Sequence, residues 1–221
     1  MRQIFYASSN ASKIRNLKNW LAGGEIRIFT PADLPCRIEV EESGLSVIEN
    51  AVLKVEAYVR LLKQLPPDHP CGHLPVLAHD TGLYLEGVPE QEQPGIHVRR
   101  YYQPDEQDPA RLIEKSMSDQ EALLHYCRIA HEHGGRIKAR YFRGAALRTE
   151  KGLFTLEVDS PFMWILDTPC HPYTEKGNPL DVSTIDIATG KYWCDLTASE
   201  RDAAYGFLGS KIASFIHEHV S

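Results

Sequence analysis

Gln3-Ile-Phe-Tyr-Ala-Ser8-Ser9-Asn10-Ala-Ser-Lys13-Ile14-Arg-Asn-Leu17-Lys-Asn-Trp-Leu21 is the stretch that decides the fold class. Its first part is a short apolar run. Its second repeats Ile14, Leu17 and Leu21 at three and four, so the whole reads as strand, tight turn, helix. Asn10 stands where an N-cap belongs, and Gly23-Gly24 stops the helix. A strand feeding straight into a helix N-terminus is the opening unit of an α/β sheet.

The same alternation continues along the chain. Ile26–Phe29 reads as a second strand. Ser46-Val-Ile-Glu49 is a capping box, and Val47, Ala51, Val55, Tyr58 and Leu62 carry its helix to about Gln64. Val76-Leu-Ala-His79-Asp80 reads as a buried strand ending near Asp80, with a second extended piece over 83–86. Residues 87–110 are proline-rich and read as loop. Ser118-Asp-Gln-Glu121 opens another helix, closed by Gly134-Gly135. From 136 to 148, Ile137, Ala139 and Tyr141 alternate with Lys138, Arg140 and Arg143, and Thr149-Glu-Lys-Gly152 turns the chain back. Residues 181–187 read as short and extended, and Thr197-Ala-Ser-Glu200 opens a final helix to about His217. Strands interleaved with helices and a central hairpin predict an α/β fold whose mixed sheet is flanked by helices, as one large domain or one domain with a lobe.

Composition bounds the function. The 221 residues carry 24 Lys and Arg against 30 Asp and Glu, a net charge of −6, which argues against a nucleic-acid backbone binder. A small anionic ligand, needing only a few local cations, remains compatible. Five scattered cysteines without a Cys-x-x-Cys pair suggest reduced thiols rather than a zinc ribbon or a disulfide framework. The ten histidines show no ligand spacing with a carboxylate partner, and no Gly-x-Ser-x-Gly elbow is present. No apolar run approaches the ~18 residues of a membrane span, so a soluble, cytoplasmic protein is expected.

Two segments could carry chemistry. Ser8, Ser9, Asn10 and Lys13 lie on a strand-to-helix turn, where backbone N–H groups and a lysine favour phosphate. A capped surface helix with a solvated lysine explains the same residues. Glu41, Glu42, Glu49 and Asp80 are carboxylates near element ends, the donor type that Mg²⁺ requires. Read blandly, Glu49 is a capping acid and Glu41-Glu42 a solvated loop.

Together these segments resemble the inosine triphosphate pyrophosphatase family. Its Ser/Thr-x-Asn-x-x-Lys stands here as Ser8-Ser9-Asn10-Ala11-Ser12-Lys13. Glu41-Glu42-Ser43-Gly44 and Glu49-Asn50-Ala51-Val52-Leu53-Lys54 are similar to its Glu-Glu-Thr-Gly and Glu-Asn-Ala-x-x-Lys. His79-Asp80-Thr81-Gly82-Leu83 resembles Asp-Asp-Ser-Gly-Leu, and Pro94-Gly95-Ile96-His97-Val98-Arg99-Arg100-Tyr101 matches Pro-Gly-x-x-x-x-Arg-Tyr. Ala139-Arg140-Tyr141 looks like the Ala-Arg-Phe strand.

The resemblance implies a single, elongated, two-lobed domain over 1–221 that hydrolyses a nucleoside triphosphate to the monophosphate and pyrophosphate, with ITP, XTP and dITP as the family's substrates. It further implies a cytoplasmic homodimer, without nucleic-acid or membrane partners, that uses Mg²⁺, with Mn²⁺ as an alternative. It assigns Asp80 and Lys13 to catalysis and Glu42 and Asp80 to the metal. Ser8, Asn10, Lys13, Lys54, Arg100, Asp181 and Arg201 fall to the substrate. The last third departs: Gly177-Asn178-Pro179-Leu180-Asp181-Val182 stands for Gly-Phe-Gly-Tyr-Asp-Pro, and Tyr205-Gly206-Phe207 falls where the purine-reading Ser-His-Arg is expected. His79 replaces the first acid of the pair and offers a nitrogen donor suited to Mn²⁺. A non-catalytic nucleotide binder, or the same chemistry on another nucleotide, stays open.

Overall fold

The computed structural model describes residues 1–23, 26–105, 107–108, 111–173 and 177–220. The chain divides into two compact units. The first comprises Met1–Thr81, Phe142–Ser160 and Tyr205–Ser221; the second comprises Gly82–Tyr141 and Pro161–Ala204. Among the described residues, no helix is long and apolar enough to cross a membrane.

The first unit begins as the opening stretch dictates. Strand β1 (Arg2–Tyr6) passes through a tight turn into α1 (Ala11–Trp20) and returns in β2 (Ile26–Phe29), which pairs parallel with β1. Asn10 caps α1 by accepting from the Lys13 N–H at 3.1 Å, worth about 1 kcal/mol. The helix ends at Trp20, and half of the predicted Gly23-Gly24 stop lies outside the described residues.

Helix α2 (Val47–Leu62) crosses to β3 (Val76–Leu85), which joins β1 in parallel, Phe5 opposite Val76. The Ser46 hydroxyl caps α2 as expected. Glu49, however, reaches past the cap to the Leu45 N–H at 2.7 Å, so the box is displaced by one residue. Strand β6 (Arg136–Thr149) lies beside β3, and β7 (Gly152–Asp159) turns back antiparallel on it. Two apolar layers fill this unit. Ile4, Tyr6, Leu17, Leu77 and Ile216 make one, and Phe5, Ala51, Val55, Ala78 and Ala146 make the other.

In the second unit, the early part of β6 pairs antiparallel with β8 (Met163–Leu166), and β8 pairs with β9 (Thr184–Asp186). Helix α3 (Asp119–Glu132) opens with the predicted Ser118/Glu121 box and buries Leu123, Tyr126 and Ala130 beside Leu85, Ile137 and Ile165. Helix α4 (Ala198–His219) starts in this unit and finishes in the first, two residues beyond the expected end.

Three sequence expectations need correcting. β3 is one strand through Asp80-Thr81-Gly82 rather than two pieces, because the turn-like residues stay extended in a buried strand. The supposed loop over 87–110 contains β4 (Arg100–Pro104), which pairs antiparallel with β5 (Leu112–Ser116) as a separate ribbon. Its charged and polar residues lack the apolar alternation that announces a strand. Asp181 stands in a 3-10 turn over Pro179–Val182, ahead of β9, instead of on an extended segment.

Candidate functional site

The first unit brings four of the predicted side chains together, Asp80 with Lys54, Glu42 and Lys13. Asp80 lies mid-strand in β3 with its side chain only 9% exposed. Lys54, on α2, donates to Asp80 Oδ1 at 2.9 Å. The same ammonium lies 3.1 Å from Glu42 Oε1. Lys13, on α1, lies 4.0 Å from Asp80 Oδ1 and donates to the His79 carbonyl at 3.3 Å. Two carboxylates and two ammonium groups thus alternate within a few ångströms.

Local structure explains why these groups meet. Lys54 lies two turns into α2, and Asn50, one turn earlier on the same face, directs its Nδ2 at Asp80 Oδ2 from 3.4 Å. Asn50 is itself fixed, its Oδ1 accepting from the Gly44 N–H at 2.9 Å. A Cβ on Gly44 would come within 2.8 Å of that oxygen, so the contact requires glycine. Gly144 plays the same part on β6: a Cβ there would sit 2.6 Å from the backbone nitrogen of Ile48 in the first turn of α2. The helix carrying Asn50 and Lys54 is therefore seated directly on the sheet. Ser8 and Asn10 build the turn before α1, with the Asn10 N–H donating to Ser8 Oγ at 3.3 Å.

Electrostatics follow from that crowding. Burial and the Lys54 ammonium pull Lys13 down to about 8, while Asp80 opposes them. Arg143, on β6, adds a third positive charge that also depresses Lys13. The sequence reading placed Arg143 on the exposed face, yet its number is in phase with Ile137, Ala139 and Tyr141. That odd-numbered phase was the signal for it. Asn50 likewise stood in a quoted motif without being given a role.

His79 overturns the expectation of a nitrogen donor for a metal. Its ring stacks beside Tyr6 and meets the Tyr6 hydroxyl at 2.6 Å from Nδ1, 5% exposed. Burial, then Lys13, hold its pKa well below the usual imidazole value, so it is neutral. The oxygens of Glu42 and Asp80 converge on the same ammonium, and these two carboxylates are the groups that could hold a metal. Two hard carboxylate donors fit Mg²⁺, and Mn²⁺ accepts the same set.

The remaining predicted residues belong to the second unit. Arg100 pairs with Glu114 at 3.3 Å, and Arg201 Nη2 donates to the Cys194 carbonyl at 3.1 Å. Asp181 donates its backbone N–H to the Asn178 carbonyl at 3.3 Å.

Comparisons with known proteins bear on the family and the fold. The dITP/XTP pyrophosphatase of Geobacillus kaustophilus is 33% identical over 133 residues, 60% of this chain; the match spans 59% of that relative's length. The dITP/XTP pyrophosphatase of Pseudomonas aeruginosa is 30% identical over 183 residues, 77% of this chain and 84% of its own. Among solved structures, a HAM1 protein from Coxiella burnetii superposes with a TM-score of 0.68 at 21% identity, covering 99% of this chain and 100% of that one. The Staphylococcus aureus Ham1 protein gives 0.63 at 21% identity, covering 97% and 100%. At that identity the likeness speaks for the mixed α/β fold alone. Residues 4–152, which include Lys13, Glu42, Lys54 and Asp80, match the profile of the Ham1 family, and the chain belongs to that family.

Proposed function

We propose that the chain is a metal-dependent nucleoside triphosphate diphosphatase, cleaving between the α- and β-phosphates to release a monophosphate and pyrophosphate. The observation that carries this reading is Asp80, bracketed by Lys54 at 2.9 Å and Lys13 at 4.0 Å with Glu42 beside them. Phosphoryl transfer asks for little else: positioned cations for the leaving group and a carboxylate for the water. The relatives named dITP/XTP pyrophosphatase support the same class.

Each residue then has a definable part. Lys13 stands at the N-terminus of α1, where backbone N–H groups favour an anion, and meets the departing pyrophosphate as a cation. Asp80 orients the attacking water and accepts its proton as the bond to the α-phosphorus forms and the α–β bridging bond breaks. Lys54 and Asn50 hold Asp80 in place. Glu42 and Asp80 would hold Mg²⁺ or Mn²⁺, which neutralises phosphate charge when bound. Ser8 and Asn10, on the turn before α1, serve as further substrate contacts in this reading, and the protein works as a cytoplasmic homodimer.

A second reading draws on His79, which stands where the resemblance expects an acid and is committed to Tyr6. It makes the chain a nucleotide binder without turnover. Pyrophosphate release from a panel of triphosphates, with Mg²⁺ or Mn²⁺, separates the two. Monophosphate and pyrophosphate in equal amounts, lost in Asp80→Asn, support the diphosphatase. Tight nucleotide binding with no product, or release of orthophosphate, overturns it.

A further inference from the structure

The second unit contains a cluster that the site does not use. Cys170, His171 and Cys194 bring their ligand atoms within 4.8 Å of one another, with the two sulfurs 3.1 Å apart. They lie beyond the residues matched to the Ham1 profile, and their spacing of 24 residues gave no motif in the sequence. We propose that Cys170, His171 and Cys194 form a second metal site, for a thiophilic divalent cation of the Zn²⁺ type.

Backbone contacts build the cluster from both sides. The Cys170 N–H donates to the Val182 carbonyl at 2.8 Å, which fixes one thiol to the 3-10 turn carrying Asp181. Cys194 lies in a second 3-10 turn, Trp193–Asp195, just ahead of α4. Its carbonyl accepts from Arg201 at 3.1 Å. His171 Nδ1 donates to the Pro172 carbonyl at 3.2 Å, which leaves the lone pair on Nε2. That is the tautomer logic by which a histidine ligand is oriented through its other nitrogen.

The donor set selects the metal. Two thiolates and an imidazole suit Zn²⁺ and exclude Mg²⁺, so this site does not compete with the Glu42–Asp80 carboxylates for the same ion. Tetrahedral zinc holds sulfurs about 3.8 Å apart at Zn–S distances of about 2.3 Å, so the thiols open by a fraction of an ångström. Binding releases two thiol protons, and water or the Asp195 carboxylate, 3.9 Å from Cys194 Sγ, completes the four positions. The ion would tie the segment after β8 to the turn leading into α4, with Asp181 and Arg201 attached to its two ends.

Cobalt substitution in the full chain tests this. Reduced, chelator-stripped protein is titrated with Co²⁺ in saturating Mg²⁺, so that oxygen-ligated ions do not contribute. A thiolate-to-cobalt charge-transfer band saturating at one equivalent, displaced by Zn²⁺ and abolished in Cys170→Ser and Cys194→Ser, is expected. His171→Ala should weaken the affinity by roughly tenfold or more. X-ray absorption of the wild-type zinc form should give two sulfurs at about 2.3 Å and a nitrogen at about 2.0–2.1 Å, independent of whether the variants fold. Absence of the band, a band surviving in either serine variant, or a zinc Kd weaker than about 1 μM overturns the site. So does a Cys170–Cys194 disulfide formed in place of metal binding under reducing conditions.

Discussion

The imidazole of His79 and the hydroxyl of Tyr6 lie 2.6 Å apart inside the first unit, on the face of β3 opposite the Asp80 side chain. Because His79 titrates well below its ordinary value in the folded protein, the unfolded chain binds an extra proton as pH drops through about 6.5. Its contribution to stability is therefore complete above that pH and is lost below it, at about 1.4 kcal/mol per pH unit until the folded form protonates. His79→Gln keeps a hydrogen-bonding partner for Tyr6 without titrating. Urea denaturation between pH 5 and 6.5 should show the wild-type slope reduced by about one proton in this variant; an unchanged slope contradicts the neutral, buried histidine.

Asp80→Asn preserves shape while removing the charge that Lys54 and Lys13 face. Turnover should fall by roughly 10²-fold or more. Stability should fall too, by about 1–3 kcal/mol, since the Lys54 ammonium keeps Glu42 but loses its shorter ion pair. Single-turnover kinetics and urea unfolding measure the two losses separately, and wild-type turnover would remove Asp80 from the chemistry.

Lys13, drawn down to about 8, gives the binding step a pH signature. A bound triphosphate favours the ammonium, so affinity for a non-hydrolysable analogue should be full below pH 8 and decline above it, by at most roughly tenfold per pH unit. Lys13→Arg stays charged throughout and should flatten that limb. Lys13→Ala should weaken binding by about tenfold to a hundredfold at pH 7, because a hydrogen bond to a charged group contributes about 1.5–3 kcal/mol. Calorimetry across pH 7 to 9.5 checks all three, and equal affinities at pH 7 would dismiss the phosphate contact.

How much of this was legible beforehand depended on distance along the chain. The β1–α1 unit and its Asn10 cap are local, so capping chemistry and periodicity showed them directly. The meeting of Lys54 with Asp80 spans 26 residues and was accessible only through resemblance. Arg143 keeps the odd-numbered phase of Ile137, Ala139 and Tyr141, but its charge masks that periodicity in the sequence. Cys170 and Cys194 carry no local spacing signal at all; the turns around Val182 and Trp193 bring them together. The β4–β5 ribbon stands as a separate two-stranded sheet, and its sequence carries no apolar alternation to announce it.

Gly144 makes a strong steric demand. Its missing side chain lets the backbone of Val47 and Ile48 approach to 2.6 Å of where a Cβ would stand. Gly144→Ala must displace α2 or β6, both backbone, at about 1–3 kcal/mol. Since α2 carries Asn50 and Lys54, turnover should drop on the order of tenfold in the folded fraction. A variant with an unshifted urea midpoint would show that the two elements are not seated as closely as described.

Selectivity for the base should be weak. Tyr205-Gly206-Phe207 lies on α4 where the resemblance expects Ser-His-Arg, and Phe207 is 43% exposed with Lys211 Nζ 5.0 Å from its ring. A site that hydrogen-bonds a substrate group can reject analogues lacking it by about 10⁴-fold, because its own polar atoms are otherwise left unpaired. Glycine and phenylalanine present no side-chain donor to a purine O6, and an aromatic face stacks on any base. The kcat/KM for ITP and XTP should therefore exceed that for ATP and GTP by no more than roughly tenfold. Phe207→Ala should weaken all four substrates together, by a similar factor, if the ring stacks on the base. A preference for ITP of a hundredfold or more would mean that backbone groups or another loop read O6, and the α4 positions would lose their assigned part in selectivity.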